Sequence, residues 1–342
     1  MRIDAFNHFY PKPYFDKMGK VAGDQKDMFR RARAIPAIHD LDERLRVMDR
    51  FDDYAQVLSL PAPALEAIGA GRPQVILELA RIANDGMAEL VAKHPDRFPA
   101  FIAQTPLGAP DAGVAETERA INELGAIGTQ IYTNVAGKPL DRPEFEPFFA
   151  AMNRLRKPIW LHPNRGANHP DYLDEDRSLY EIWWTFGWPY ETSVAMARLV
   201  FSKILDKYPN VRVIAHHLGA MVPYFEGRVG PGWDQLGKRT SGEDYFALLK
   251  SLKKRPLDYF KQDFFADTAV FGSRAATICG LEFYGVDHVV FASDCPFDPE
   301  QGPGYIRETI KIIDSLDLSK QDRDKIYFRN LEKLTGHRFV KS

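Results

Sequence analysis

The stretch Val289-Val290-Phe291-Ala292-Ser293-Asp294-Cys295-Pro296-Phe297 is an apolar run that stops abruptly at an acid. Such a run, bounded by turn signals, reads as a strand buried on both faces, the kind found in parallel sheets covered by helices. Asp294 then stands at a strand's carboxyl end. Three other apolar runs end the same way, in histidine: Ile3-Asp4-Ala5-Phe6-Asn7-His8, Pro158-Ile159-Trp160-Leu161-His162, and Val211-Arg212-Val213-Ile214-Ala215-His216-His217. If the four strands belong to one parallel barrel, these side chains converge on one rim, where barrel enzymes place their active sites.

Outward from these runs, strands are expected at 54–60, 98–104, 126–132 and 263–267, and helices at 74–93, 111–124, 143–156, 190–208, 305–316 and 320–334. A further helix starts at Asp40, a plausible cap, with Leu41, Leu45 and Met48 at helical spacing and Arg44 and Arg46 on other faces. Another is expected to begin near Gly219. Strands alternating with helices imply right-handed crossovers and a parallel sheet. The predicted fold is a single (β/α)8 TIM barrel spanning 1–342, with extra C-terminal helices and insertions at about 9–39, 163–189 and 230–255. The first insertion shows no sustained period and reads as a functional loop or small lid. The second packs Trp183, Trp184 and Trp188 into six residues, a cluster suited to core, subunit interface or substrate stacking.

The 342 residues include 45 basic and 47 acidic side chains, a formal net charge of −2, spread without long single-sign blocks. That balance gives no footprint for nucleic acid or a membrane surface, and no apolar run approaches the ~20 residues that span a bilayer. The two cysteines, Cys279 and Cys295, make no disulfide framework, and the amino terminus carries no charged-then-apolar leader. The expectation is a cytoplasmic protein.

A catalytic divalent metal takes about three protein ligands of imidazole and carboxylate type and keeps one position open. His8, His162 and Asp294 offer such a set, with His216 or His217 as a further candidate. Their shared position at strand ends carries the reading, since sequence spacing alone would not. His39, His94, His169, His288 and His337 fall at element boundaries, in loops or near the chain end, and are read as structural. Asp267, in Asp-Thr at a strand end, either lines the pocket or caps the next helix.

These residues resemble the amidohydrolase superfamily, in the branch of aminocarboxymuconate-semialdehyde decarboxylase and the aromatic acid decarboxylases related to γ-resorcylate decarboxylase. The resemblance runs from Ile3-Asp4 and His8-Phe9 through Trp160-Leu161-His162-Pro163 and His217-Leu218-Gly219, with Pro223 and Arg228 following, to Ala292-Ser293-Asp294-Cys295-Pro296-Phe297. It implies that His8, His162 and Asp294 are metal ligands and that His217 is the catalytic histidine, with His216 turned into the barrel wall or making a supporting hydrogen bond. The family's first ligand, a His or Glu, is replaced by Phe6, which has no lone pair to give. Asn7 cannot substitute, because neighbouring strand residues point to opposite faces. A three-ligand site, a weakened site and no metal all remain open. No lysine follows the fourth strand, where Ile131-Tyr132-Thr133-Asn134 stands, so at most one metal, Zn or Mn, is expected.

The resemblance implies a non-oxidative decarboxylase of an aromatic or muconate-like carboxylic acid, acting as a homodimer. Asp294 would move a proton at the ring carbon with His217 as its acid/base partner. Arg228, and after it Arg46 or Arg165, could clamp the carboxylate, and Trp188 could stack on the substrate. The rivals are a hydrolase of an ester, lactone or amide on the same site, independent of metal if Phe6 abolishes it, a hydratase of an unsaturated acid, and a barrel retained only as a binding subunit.

Overall fold

Hydrogen bonding between the short apolar runs produces a parallel sheet that curls into a ring. The computed structural model describes residues 1–22 and 28–340. Its strands are β1 (Arg2–His8), β2 (Tyr54–Ser59), β3 (Ala100–Phe101 and, past Ile102, Ala103–Gln104), β4 (Thr129–Tyr132), β5 (Ile159–His162), β6 (Val213–Ala215), β7 (Phe264–Asp267) and β8 (Val289–Val290). Every successive pair from β1 to β8 is parallel. The chain after β8 closes the ring on β1: Ala5 N donates to Phe291 O at 2.8 Å, Asp294 N to Phe6 O at 3.2 Å, and His8 N to Cys295 O at 2.8 Å. The fold is the expected (β/α)8 barrel.

Helices cover the outside because their apolar stripes have no other surface to bury. The helix Pro73–Lys93 buries Ile76, Leu79, Ala80, Ala83 and Met87 on one face, the helical spacing that predicted it. Asp40 caps the helix Leu41–Met48, its carboxylate accepting from Glu43 N at 3.1 Å. One contiguous apolar core runs from Ile3 to Leu331.

Several expectations are corrected. The 9–39 insertion is not irregular: it holds the helices Lys12–Val21 and Met28–Arg33 and a 3-10 turn at Pro36–Ile38, while residues 23–27 of it lie outside the described residues. The helix expected over 190–208 is two, Gly187–Phe201 and Ile204–Lys207, separated where Lys203 takes φ 64°. No regular helix begins at Gly219. Arg44, expected on a different face of the helix Leu41–Met48 from Leu41, Leu45 and Met48, is fully buried and holds the rim together: its guanidinium donates to Asn7 Oδ1 at 2.9 Å, His8 O at 2.8 Å and Cys295 Sγ at 3.0 Å.

Asp4 ties β1 to the closing segment. Its oxygens accept from Ser293 N at 3.1 Å, Ser293 Oγ at 2.5 Å and Tyr54 Oη at 2.5 Å. Burial pushes its carboxyl up to about 6, and those same bonds limit the rise. Asp4→Ala strands several buried donors and is expected to lower unfolding stability by about 3 kcal/mol at neutral pH. Because the native-state pKa lies above the unfolded one, the ionised carboxyl opposes folding above about pH 6 and ceases to as the pH falls. Wild type should therefore gain about 1 kcal/mol over Asp4→Asn between pH 7 and pH 5. Urea midpoints at the two pH values check both points; a difference that shrinks on acidification would refute the assignment.

Candidate metal centre and active site

Residues two apart on a strand share a face, so β1 sends Phe6 and His8 inward together and β5 does the same with Trp160 and His162. All four are buried. The chain leaving β6 adds His216 and His217, and the chain leaving β8 adds Asp294. The rings of His8 and His162 lie 5.4 Å apart, those of His162 and His216 5.3 Å, and those of His216 and His217 3.7 Å. Asp294 sits among them: Oδ1 is 3.0 Å from His8 Nε2 and 3.5 Å from His216 Nε2, and Oδ2 is 3.7 Å from His217 Nε2. Four distant stretches of sequence thus meet at one rim, as the strand-end pattern predicted.

The backbone here is held in unusual conformations. Asp294 has φ 61°, and the turn after β6 has φ 56° at His217, 57° at Leu218, 74° at Gly219 and 58° at Ala220. Non-glycine residues in the left-handed region cost on the order of 1 kcal/mol each and persist where surrounding contacts over-determine them. A Cβ on Gly219 would collide with the Tyr284 hydroxyl, so glycine is required there. Asp267 supplies much of the restraint: Oδ1 accepts from His217 N at 3.1 Å and Ala269 N at 3.0 Å, and Oδ2 receives His216 Nδ1–H at 2.6 Å. Neither alternative expected for Asp267 holds by itself; it is the anchor of the histidine pair. Of the two places expected for His216, the supporting hydrogen bond is the one observed, to Asp267.

Electrostatics follow from burial opposed by pairing. Burial lowers the basicity of His8, His162 and His217, furthest for His162, and for His162 and His217 the neighbouring His216 adds to the effect. His216 goes the other way: burial opposes its charge, but Asp267 and Asp294 raise it to about 9. Burial alone would raise Asp294, yet contacts with His216, His217 and His8 hold it well below the usual carboxylate range.

The donor set fits a metal ion. The ligand atoms of His8, His162 and His216 lie within 4.8 Å of one another, as do those of His216, His217 and Asp294. The buried Nε2 atoms of His8, His216 and His217 have no hydrogen-bond partner, which is costly unless something accepts their lone pairs or protons. Phe6 stands edge-on to three of the imidazoles, 5.0 Å from His8, 6.0 Å from His162 and 4.5 Å from His216, and donates nothing. Asn7 turns away, donating to Val57 O at 3.0 Å.

Above this floor lies a cavity of about 400 Å³, walled by Trp183, Trp184, Trp188, Phe271 and Phe297, with His162, Asp294, Arg31 and Tyr305 among its polar lining. Trp188 packs at 5.5 Å from the His162 ring and 6.4 Å from that of His217, and its indole donates to Arg165 O at 3.0 Å. The tryptophan cluster is therefore a pocket wall. None of the three arginines expected to clamp a carboxylate lines it. Arg228 is exposed and lies over the Phe225 ring, Arg46 is an exposed partner of Glu43 at 2.7 Å, and Arg165 is spent on Glu191 at 3.0 Å. The arginine in the cavity is Arg31, which donates to Phe297 O at 2.9 Å. Nothing in the sequence separates it from Arg30 and Arg33 on the same short helix.

Residues 3–334 match the amidohydrolase family model. The chain is 32% identical over 348 residues to gamma-resorcylate decarboxylase of Rhizobium sp. (strain MTP-10005), covering 97% of each protein. It is 30% identical over 274 residues to 2-amino-3-carboxymuconate-6-semialdehyde decarboxylase of Dictyostelium discoideum, covering 80% of this chain and 71% of that protein. Among solved structures, the dihydroxybenzoic acid decarboxylase of Polaromonas sp. JS666, with bound manganese and the inhibitor 2-nitroresorcinol, superposes with a TM-score of 0.77 at 28% identity, covering 98% of this chain and 96% of that one. With a barrel of the same topology and histidines and an aspartate gathered at its rim, the chain belongs to the amidohydrolase family.

Proposed function

We propose that the protein is a non-oxidative decarboxylase of a hydroxylated aromatic carboxylic acid, dependent on one divalent metal held by His8, His162 and Asp294. The observation that carries the proposal is a buried aspartate, ringed by imidazoles, at the floor of an aromatic-walled cavity of about 400 Å³, roomy enough for a substituted benzene ring. A divalent metal bound there supplies positive charge that orients the anionic oxygens of the substrate and stabilises negative charge developing on them. The manganese in the Polaromonas relative favours manganese over zinc.

The rest is work for the chain's own groups. The tryptophan wall holds the ring and excludes water, and Arg31 offers its remaining N–H donors to the carboxylate. Asp294 begins as the carboxylate, so it takes its proton from a substrate hydroxyl beside the carboxylate. It then delivers that proton to the ring carbon bearing the carboxylate. The carbon–carbon bond breaks, its electron pair returns to the ring, CO₂ departs, and Asp294 is a carboxylate again. The product phenolate recovers a proton from water through His217, the neutral imidazole beside Asp294. The net change is uptake of one proton and loss of CO₂.

Apolar side chains exposed on the 163–189 insertion, among them Leu173, Tyr180 and Phe186, support a homodimer. The two unpaired cysteines suit a cytoplasmic setting. Hydrolysis remains the rival on the same groups. The purified protein with Mn²⁺ is expected to release CO₂ from at least one acid in a panel of mono- and dihydroxybenzoates and muconates. No CO₂ from any of them, with turnover of lactones or esters, would overturn decarboxylation in favour of hydrolysis.

A further inference from the structure

Phe6 stands where the resemblance places a further ligand beside His8, His162 and Asp294, and the geometry points to another donor for that place. We propose that His216, held by Asp267, completes the ligand set, giving His8, His162, His216 and Asp294. The proposal rests on the metal reading above and assigns a ligand that reading does not include.

Hydrogen bonds at the other ring nitrogens decide which atoms are free. His162 Nδ1 lies 2.7 Å from Pro163 O and His216 Nδ1 lies 2.6 Å from Asp267 Oδ2. Each oxygen can only accept, so each Nδ1 carries the hydrogen, and Nε2 is the atom of each ring left to face a cation, the proton that Asp267 and Asp294 favour on His216 leaving as the ion binds. A carboxylate behind a ligating imidazole fixes the tautomer and ring angle and strengthens the donor. His216 is fully buried, and its Nε2 has no hydrogen-bond partner although it lies 3.5 Å from Asp294 Oδ1. Its ligand atom falls within 4.8 Å of those of both His8 and His162.

His217 is the natural competitor, and its surroundings differ. It belongs with His216 and Asp294 but not with His8 and His162. Its ring faces a side cavity shared with Trp184, Trp188 and Phe271, and Asp267 reaches its backbone N–H only. His217 is therefore set towards the aromatic wall, away from His8 and His162, and His216 on the metal side. The Phe6 ring, 4.5 Å from His216 and nearly perpendicular to it, packs against the added ligand. Phenylalanine is tolerated on β1 because β6 provides the donor.

The test is Mn²⁺ titration calorimetry on the chelator-stripped full-length protein. His216→Ala is expected to raise the Mn²⁺ Kd about 100-fold or more, and Asp267→Asn about 10-fold, while His217→Ala leaves it within about threefold. Phe6→His in the His216→Ala background should recover most of the lost affinity. Asp267→Asn keeps the imidazole and its packing, so it decides the matter if His216→Ala does not fold. An unchanged Kd in His216→Ala, or in Asp267→Asn where only that variant folds, overturns the assignment, as does an equal loss in His217→Ala. Absence of Mn²⁺ binding by the wild type overturns the metal reading itself, and this assignment with it.

Discussion

Asp294→Asn is expected to lower the rate of CO₂ release by about 10³-fold or more, close to 4 kcal/mol of transition-state stabilisation. The substitution preserves volume and shape and removes two capacities at once. An amide cannot carry a proton to carbon, and it is a poor replacement for an anion among His8, His216 and His217, whose ring nitrogens lie 3.0–3.7 Å from the carboxylate oxygens. The fold should survive, because residue 294 sits at φ 61°, a conformation that asparagine and aspartate adopt more readily than other side-chain-bearing residues. Thermal unfolding near the wild-type midpoint, with turnover at the detection limit, is the anticipated pair of results. Turnover within tenfold of wild type would remove Asp294 from the chemistry.

The barrel was legible because its strands are buried on both faces, so most appear in the sequence as short, largely apolar runs, and at β1, β5, β6 and β8 a histidine or aspartate at the end marks the rim. Asp294, His8 and His162 were found in that way. Other features depend on contacts between distant residues and leave no local mark. Arg44 looks like any exposed helical arginine until the fold brings Asn7, His8 and Cys295 around it. His216 could not be given its place without knowing that Asp267, on the next strand, lies behind it. The helix Lys12–Val21 buries only Tyr14 and Met18, a two-residue stripe too short to read as a period. The break at Lys203 occurs at a residue type that does not favour left-handed backbone, so no glycine announced it. The arginines failed for a related reason: a place beside a matched motif says nothing about which way a long side chain turns, and the cavity received Arg31 from an element whose period could not be read.

Removing the metal should be nearly as damaging as removing Asp294, and it should be reversible. Prolonged chelation followed by desalting is expected to reduce CO₂ release by about 10³-fold, since several kcal/mol of charge stabilisation goes with the ion, and stoichiometric Mn²⁺ should restore it. Stability should follow. A ligand present at 1,000 times its Kd stabilises the native state by about 4 kcal/mol, which lowers the thermal midpoint of the stripped protein by roughly 5 °C. The physical cause lies in the buried imidazoles: burial lowers the basicity of His8 and His162, and the buried Nε2 atoms of His8 and His216 have no hydrogen-bond partner. A cation held by His8, His162, His216 and Asp294 would satisfy these groups together, and its removal would leave the buried Nε2 atoms of His8 and His216 without a partner. Elemental analysis before and after chelation gives the stoichiometry, expected at about one ion per chain for a catalytic centre of this ligand type. Full activity in demonstrably metal-free protein would instead assign the chemistry to Asp294, His217 and Arg31 alone, with Phe6 marking a centre that works without an ion.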